Sequence, residues 1–151
     1  MSKGIIPVDS RYVPLVQQRS CCVPACISMV MVRHGLALLP QELLGHHLGL
    51  VVAPENRDLF WNPRHSKKPK SGWGTQIYLA AFNPNLAFRK LRLPLRLKVH
   101  LAHKFTVHSL GVFLTQAVKQ DRDLLVCFDQ GSLGGAKSGS GHVCVVDTVN
   151  L

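Results

Sequence analysis

At 151 residues and 16.7 kDa, the chain has the length of a single domain, expected over 1–151, with room for a real core. Its 46% hydrophobic and 17% charged residues exclude disorder as the main state, because disordered chains show the opposite balance. The net charge of +10 points to an acidic partner or to a solvated basic face.

The first 20 residues read as an extended lead-in with Pro7 and Pro14. They hold no apolar stretch of the roughly 7–15 residues of a secretory signal. No apolar run along the chain reaches the roughly 18 residues of a membrane span. The expected compartment is the cytoplasm, with export that leaves no signal sequence kept open. The stretch VPACISMVMVRHG then predicts a helix, with Pro24 in its first turn and Gly35 at its C-terminal cap. Residues 25–33 are apolar on almost every side, the mark of a buried helix. A short second helix starts at Pro40, with Leu43, Leu44 and Leu48 as its stripe.

Residues 51–74 read as a long loop carrying Arg64, Lys67, Lys68 and Lys70. Trp61 and Trp73 are expected to be its buried anchors. GTQIYLAAF predicts a third helix capped by Thr75. Within residues 86–103, alternation such as RLKVHL predicts strand with basic residues on one face. HSLGVFLTQAVKQ predicts a helix with Leu110, Phe113, Leu114 and Ala117 on one side. DLLVCFDQ reads as a short buried strand, SLGGAKSGSG as a flap, and HVCVVDTV as a final strand to about Val149. Helices first and strands later predict an α+β domain, with the helices on one side of an antiparallel sheet.

The basic excess is local. Residues 59–120 hold eleven basic side chains and no acidic one, whereas 1–58 net +1 and 121–151 net −2. Aromatic residues are not interleaved regularly with the basic ones. With no recognisable nucleic-acid module, nucleic acid is a possible but not a favoured partner. His46, His47, His100, His103 and His108 have no acidic ligand beside them and read as surface or packing residues. No metal or other cofactor is expected.

The chemistry concentrates in QQRSCCVPAC. The five cysteines are Cys21, Cys22, Cys26, Cys127 and Cys144. An odd count without a secretory signal argues against a disulfide framework. A helix N-terminus offers unpaired N–H groups and the positive end of a dipole, both of which favour a thiolate. An upstream glutamine amide can donate to an oxyanion formed when that thiolate attacks a carbonyl. His142, after Gly141 at the start of the last strand, supplies a candidate general base and acid.

CCVPACISMVMVRHG resembles the D-C-G-P-A-A-x-x-M-V-x-x-x-x-G stretch of papain-like cysteine peptidases of the bacteriocin-processing type, which cut double-glycine leader peptides. PQELLGHHLGL is similar to their short second helix and GTQIYLAAF to their G-T-x-x-x-L segment. DLLVCFDQ followed by GHVCVVD is similar to their strand, loop and G-H-x-x-V-V strand. The likeness runs in order over nearly the whole chain. It implies a papain-like α+β fold, with a central cysteine-bearing helix packed on an antiparallel sheet that carries the histidine. It implies Cys22 as nucleophile and His142 as base, within hydrogen-bond range of each other. Cys21 stands where the family has aspartate, and Val23 where it has glycine.

The family's oxyanion glutamine lies six residues before the nucleophile. Val16 holds that place here, with Gln17 and Gln18 five and four before Cys22. Either glutamine is a candidate, Gln17 slightly favoured. Asn150 or Asp129 is the candidate to orient His142, since Asp147 has odd spacing from it and should face away. The expected function is a cysteine-dependent hydrolase acting on peptide or amide bonds, with a peptide or protein substrate, an acidic one among the candidates. Deamidation and acyl transfer use the same groups. The alternatives are a catalytically inactive peptide-binding relative, and a basic adaptor for nucleic acid or an acidic protein.

Overall fold

The fold comes from a computed structural model that describes residues 10–64, 67–133, 135 and 141–149. In chain order the elements are α1 (Cys22–Arg33), α2 (Gln41–His47), α3 (Pro84–Lys90), α4 (Val107–Lys119), β1 (Leu125–Asp129), α5 (Gln130–Leu133) and β2 (Gly141–Val145). Short 3-10 turns occupy Pro54–Leu59, Ala80–Phe82 and Ala102–Lys104. The protein is therefore a mixture of helices with a small antiparallel sheet, of two strands among the described residues. No described helix is long and apolar enough to cross a membrane.

Helix α1 is the hub. Its apolar side chains Val23, Cys26, Ile27 and Met31 form the core with Leu44 and Leu48 of α2 and following, Ala87 and Phe88 of α3, and Val143 of β2. Both α2 and β2 pack directly on α1, as expected for a helix apolar on nearly every side. The second stripe splits: Leu44 and Leu48 are fully buried, whereas Leu43 is 36% exposed.

The four longer helices stop in the same way. The residue after each C-cap takes a left-handed φ, at Gly35, Gly49, Arg92 and Asp121. The next residue's N–H then reaches back to the helix: Leu36 to Met31, Leu50 to Gly45, Leu93 to Phe88, and Arg122 to Ala117. This closure satisfies carbonyls that the helix end leaves open. Glycine takes the conformation freely, whereas Arg92 and Asp121 take it against their Cβ.

Asp121 and Asp123 follow α4 and receive the end of α1. Arg33 pairs with both carboxylates, at 2.8 Å for Asp123. Tyr12 Oη donates to Asp123 Oδ1 at 2.7 Å, and the His34 ring meets Oδ2 at 2.6 Å. Arg11 Nη2 reaches Asp121, and the Arg11 N–H donates to Asp147. Arg11 and Tyr12 of the lead-in are thus tied to the residues that follow α4 and β2, and through them to the end of α1, by a network of ion pairs and hydrogen bonds. Burial works against the Asp123 carboxylate, but hydrogen bonds from His34, Tyr12 and Arg33, with the Arg33 charge, hold its carboxyl below the ordinary range. A carboxyl depressed on folding stabilises above its unfolded range and loses that contribution as pH falls through its folded value. Asp123→Asn is expected to cost about 1–3 kcal/mol at neutral pH and to flatten the acid limb of stability. Urea unfolding across a pH series tests this; parallel acid limbs for both forms would remove Asp123 from the account.

Three sequence expectations are corrected. GTQIYLAAF is not a helix: its residues form turns and the Ala80–Phe82 3-10 turn. The Gln76 side chain donates to the carbonyls of Gly72 and Gly74, and its N–H donates to Leu48 O, so side-chain bonds outcompete helical ones. The helix starts later, where Asn83 accepts from the Asn85 N–H and Pro84 opens α3. Residues 91–98 do alternate, with Leu91, Leu93, Leu95 and Leu97 on the core and Arg92, Arg96 and Lys98 outward. They are not in a strand ladder, however. Asn85 stands in for a partner strand by bonding both the N–H and the C=O of Leu97, at 2.8 and 2.9 Å. Trp61 is 81% exposed and anchors nothing, while Trp73 is half-buried.

Elsewhere the helix expected over HSLGVFLTQAVKQ is α4, started by a Thr106–Ser109 capping box. Ala117 is buried on its expected face, while Leu110, Phe113 and Leu114 are half-buried. Strand β1 is half-exposed rather than buried, since Leu125 alone packs from it onto the core. The last strand ends at Val145. Of the flap expected over 132–141, residues 134 and 136–140 lie outside the described residues.

Candidate functional site

Ser20 adopts a left-handed φ of 59°, and the Cys21 N–H donates to Gln18 O at 3.0 Å. This turn ends the lead-in and starts α1, with Cys21 as N-cap and Cys22 as first residue. The two adjacent thiols separate. Cys21 is fully buried with Leu50, Val52 and Phe60, whereas Cys22 is half-buried at the rim of the main core. Among the described residues neither the Cys22 nor the Val23 N–H has a backbone hydrogen-bond partner, as the first turn of a helix dictates. The turn therefore presents one accessible thiol beside two free donors.

The other thiols nearby are held protonated. Burial first, then the charges of Cys22 and Glu42, pushes the Cys21 thiol up to about 12. Burial, with Cys22 and Cys144, pushes Cys26 up to about 12 against a backbone hydrogen bond at Val145. Cys26 lies in the core, its Sγ donating to Val143 O at 3.4 Å. Cys127, on β1, lies exposed at the surface; the partial burial of its sulfur and the charge of Cys22 push its thiol up. Cys127 pairs with Val143 in the sheet, so it shares the face turned to α1. Sequence reasoning did not single out Cys127; its parity with Val143 becomes legible only once the register is known.

One flank of the Cys21–Cys22 turn is the segment around Trp73 and Gly74. Gly74 forms an antiparallel bridge with Val51. A side-chain carbon at Gly74 would sit 3.6 Å from Ser20 O. The buried Gln76 fixes this segment: besides its two donations, its Oε1 accepts from Ser71 Oγ at 2.7 Å and Tyr78 Oη at 2.5 Å. Gln76, read from the sequence as part of a helix, is a positioning residue for this wall.

Of the two candidate oxyanion glutamines, Gln17 is exposed. Gln18 is committed elsewhere: its Nε2 donates to Leu59 O at 3.0 Å and its N–H to Gln41 Oε1 at 2.9 Å. Val16, six residues before Cys22, is 92% exposed. Asn150 lies outside the described residues. Asp129 accepts from the Gly131 N–H at 2.9 Å, and Asp147 accepts from Arg11.

His142 is half-buried on β2, the strand that packs on α1. Its neighbour Val143 enters the core, so strand alternation turns His142 to the other face. There its ring meets that of Phe128, its partner in the sheet, edge to face at 5.7 Å. Cys22 and His142 are not hydrogen-bonded. The fold brings their elements together while the pleat directs the imidazole away from the α1 face, a difference from the expected direct contact. Among the described residues no group of three or more His, Cys, Asp or Glu side chains could hold a metal ion. No protein-family model, no curated protein and no solved structure matches this chain.

Proposed function

We propose that the protein is a papain-like, cysteine-dependent hydrolase acting on peptide or amide bonds, with Cys22 as nucleophile. The observation that supports this reading is the first turn of α1: a half-buried Cys22 beside two free N–H groups, with Cys21 sealed below it. The Cys22 thiolate attacks the substrate carbonyl carbon, and the free N–H groups of Cys22 and Val23 receive the developing oxyanion. His142 takes the thiol proton and returns it to the leaving amine as the C–N bond breaks. Water then attacks the thioester, releasing the acid and restoring the thiol. This reading requires His142 to leave the Phe128 face of β2 before it can reach Cys22. Gln17, whose side chain has no hydrogen-bond partner among the described residues, rather than Gln18, which is tied to Leu59, serves the oxyanion.

Thiol labelling tests the assignment. Iodoacetamide at neutral pH should modify the half-buried Cys22 ahead of the exposed Cys127 and Cys144, with Cys21 and Cys26 unlabelled until the protein unfolds. Mass mapping that finds Cys21 modified before Cys22 would overturn the choice of nucleophile. A second reading, an inactive relative that binds peptide, is favoured by one observation: the edge-to-face contact of His142 with Phe128. Uniformly slow labelling of Cys22, unaffected by His142→Ala, would favour that reading.

A further inference from the structure

A groove of about 350 Å³ lies between residues 49–51 and 76–82, within the range of small-ligand sites. Its apolar side is Val51, Leu79 and Phe82. The Phe82 ring lies so close over Gly49 that a side-chain carbon there would come within 2.5 Å of it. A glycine at this position is what lets the ring settle into the groove. Leu79 is 44% exposed and Tyr78 60% exposed, so apolar surface is left bare.

Two cations, Arg64 and Lys67, complete the lining. The Arg64 guanidinium sits 4.8 Å from the centre of the Phe82 ring, and its Nη2 donates to His46 O at 3.2 Å. It is thereby held in one place above an aromatic face. Its Nε is buried with no hydrogen-bond partner among the described residues. None of the ion pairs among the described residues involves Arg64 or Lys67. The sequence supplies no acid anywhere from 59 to 120, so no neighbour along that stretch neutralises them. Opposite them, Tyr78 Oη is tied to Ser71 and the buried Gln76, which gives the groove a fixed polar wall.

We propose that this groove binds a carboxylate carried on an apolar or aromatic body. The planar guanidinium of Arg64 matches a carboxylate, Lys67 adds a second positive charge, and the body covers Phe82 and Leu79. The carboxylate belongs either to a small free acid or to the C-terminus of a peptide with an apolar last residue. The proposal does not depend on Cys22 chemistry and is read by binding alone.

Calorimetric titration of the full chain tests it with two matched pairs of probes. These are 3-phenylpropionate against its amide, and N-acetyl-leucyl-phenylalanine against its C-terminal amide. The acids are expected to bind about tenfold or more tightly than the amides, with the gap narrowing at high salt. Arg64→Gln and, separately, Lys67→Gln should each shrink the acid preference. Because Lys67 is exposed, its replacement keeps the test alive if the Arg64 variant does not fold. Tighter binding of the dipeptide acid would assign the groove to peptide C-termini; equal or tighter binding of phenylpropionate would assign it to small acids. Equal binding of acid and amide, failure of every probe at millimolar concentration, or full displacement by an equal amount of inorganic phosphate would overturn the proposal.

Discussion

Cys22→Ala is expected to lower turnover of a susceptible peptide amide by about 10³-fold or more, since removing a nucleophile removes the covalent route. Cys21→Ser should leave most activity, because that thiol is buried and pushed up to about 12. His142→Ala should cost about 10²- to 10⁴-fold, the usual contribution of a general acid–base group. The three variants separate the readings because each removes a different element of the chemistry. Activity would be followed as hydrolysis of a peptide-amide pool that the wild-type chain cleaves. Full activity in Cys22→Ala would sink the thiol mechanism. Loss in Cys22→Ala with full activity in His142→Ala would keep the nucleophile and leave the histidine beside Phe128 without a catalytic role.

Leu48→Ala is expected to destabilise the protein by about 2–5 kcal/mol, the range for truncating a fully buried leucine. Leu48 follows α2, is 0% exposed, and packs in the cluster formed by α1, α3 and Val143. Its carbonyl also receives the Gln76 N–H, so a cavity there would loosen the wall that stands beside the Cys21–Cys22 turn. A loss of that size is a large share of the roughly 5–15 kcal/mol of a typical domain. Leu43→Ala, on the same sequence stripe but 36% exposed, should cost less than about 1 kcal/mol. Denaturant midpoints of the two variants decide it. Equal losses would mean that the stripe packs symmetrically, against the burial seen here.

Local rules alone determined much of this molecule. An apolar run with Pro24 at one end and Gly35 at the other could only be a buried helix, and α1 spans Cys22–Arg33 with Gly35 at a φ of 64°. Its start fixed Cys22 at free N–H groups, because helix geometry leaves the first turn unpaired wherever the helix sits. The alternation read in RLKVHL was legible only in part: Leu97 packs on the core after Leu91, Leu93 and Leu95, whereas Val99 and Leu101 are 67% and 49% exposed. What that chain pairs with was not legible. Asn85, rather than a strand, holds Leu97, and a side chain from a helix leaves no periodic mark. GTQIYLAAF misled for the same reason: the bonds of Gln76 to Gly72, Gly74 and Leu48 are made by tertiary approach, which overrides local propensity. The tertiary structure alone decided which of two adjacent cysteines is sealed and which is accessible. It also decided the face of His142, since the register that places Val143 in the core sets the imidazole beside Phe128. Sequence spacing carries residue identity and parity along each element. Which parity meets the core is decided only when the elements pack, because burial of one face is a property of the assembled layers and not of any strand by itself.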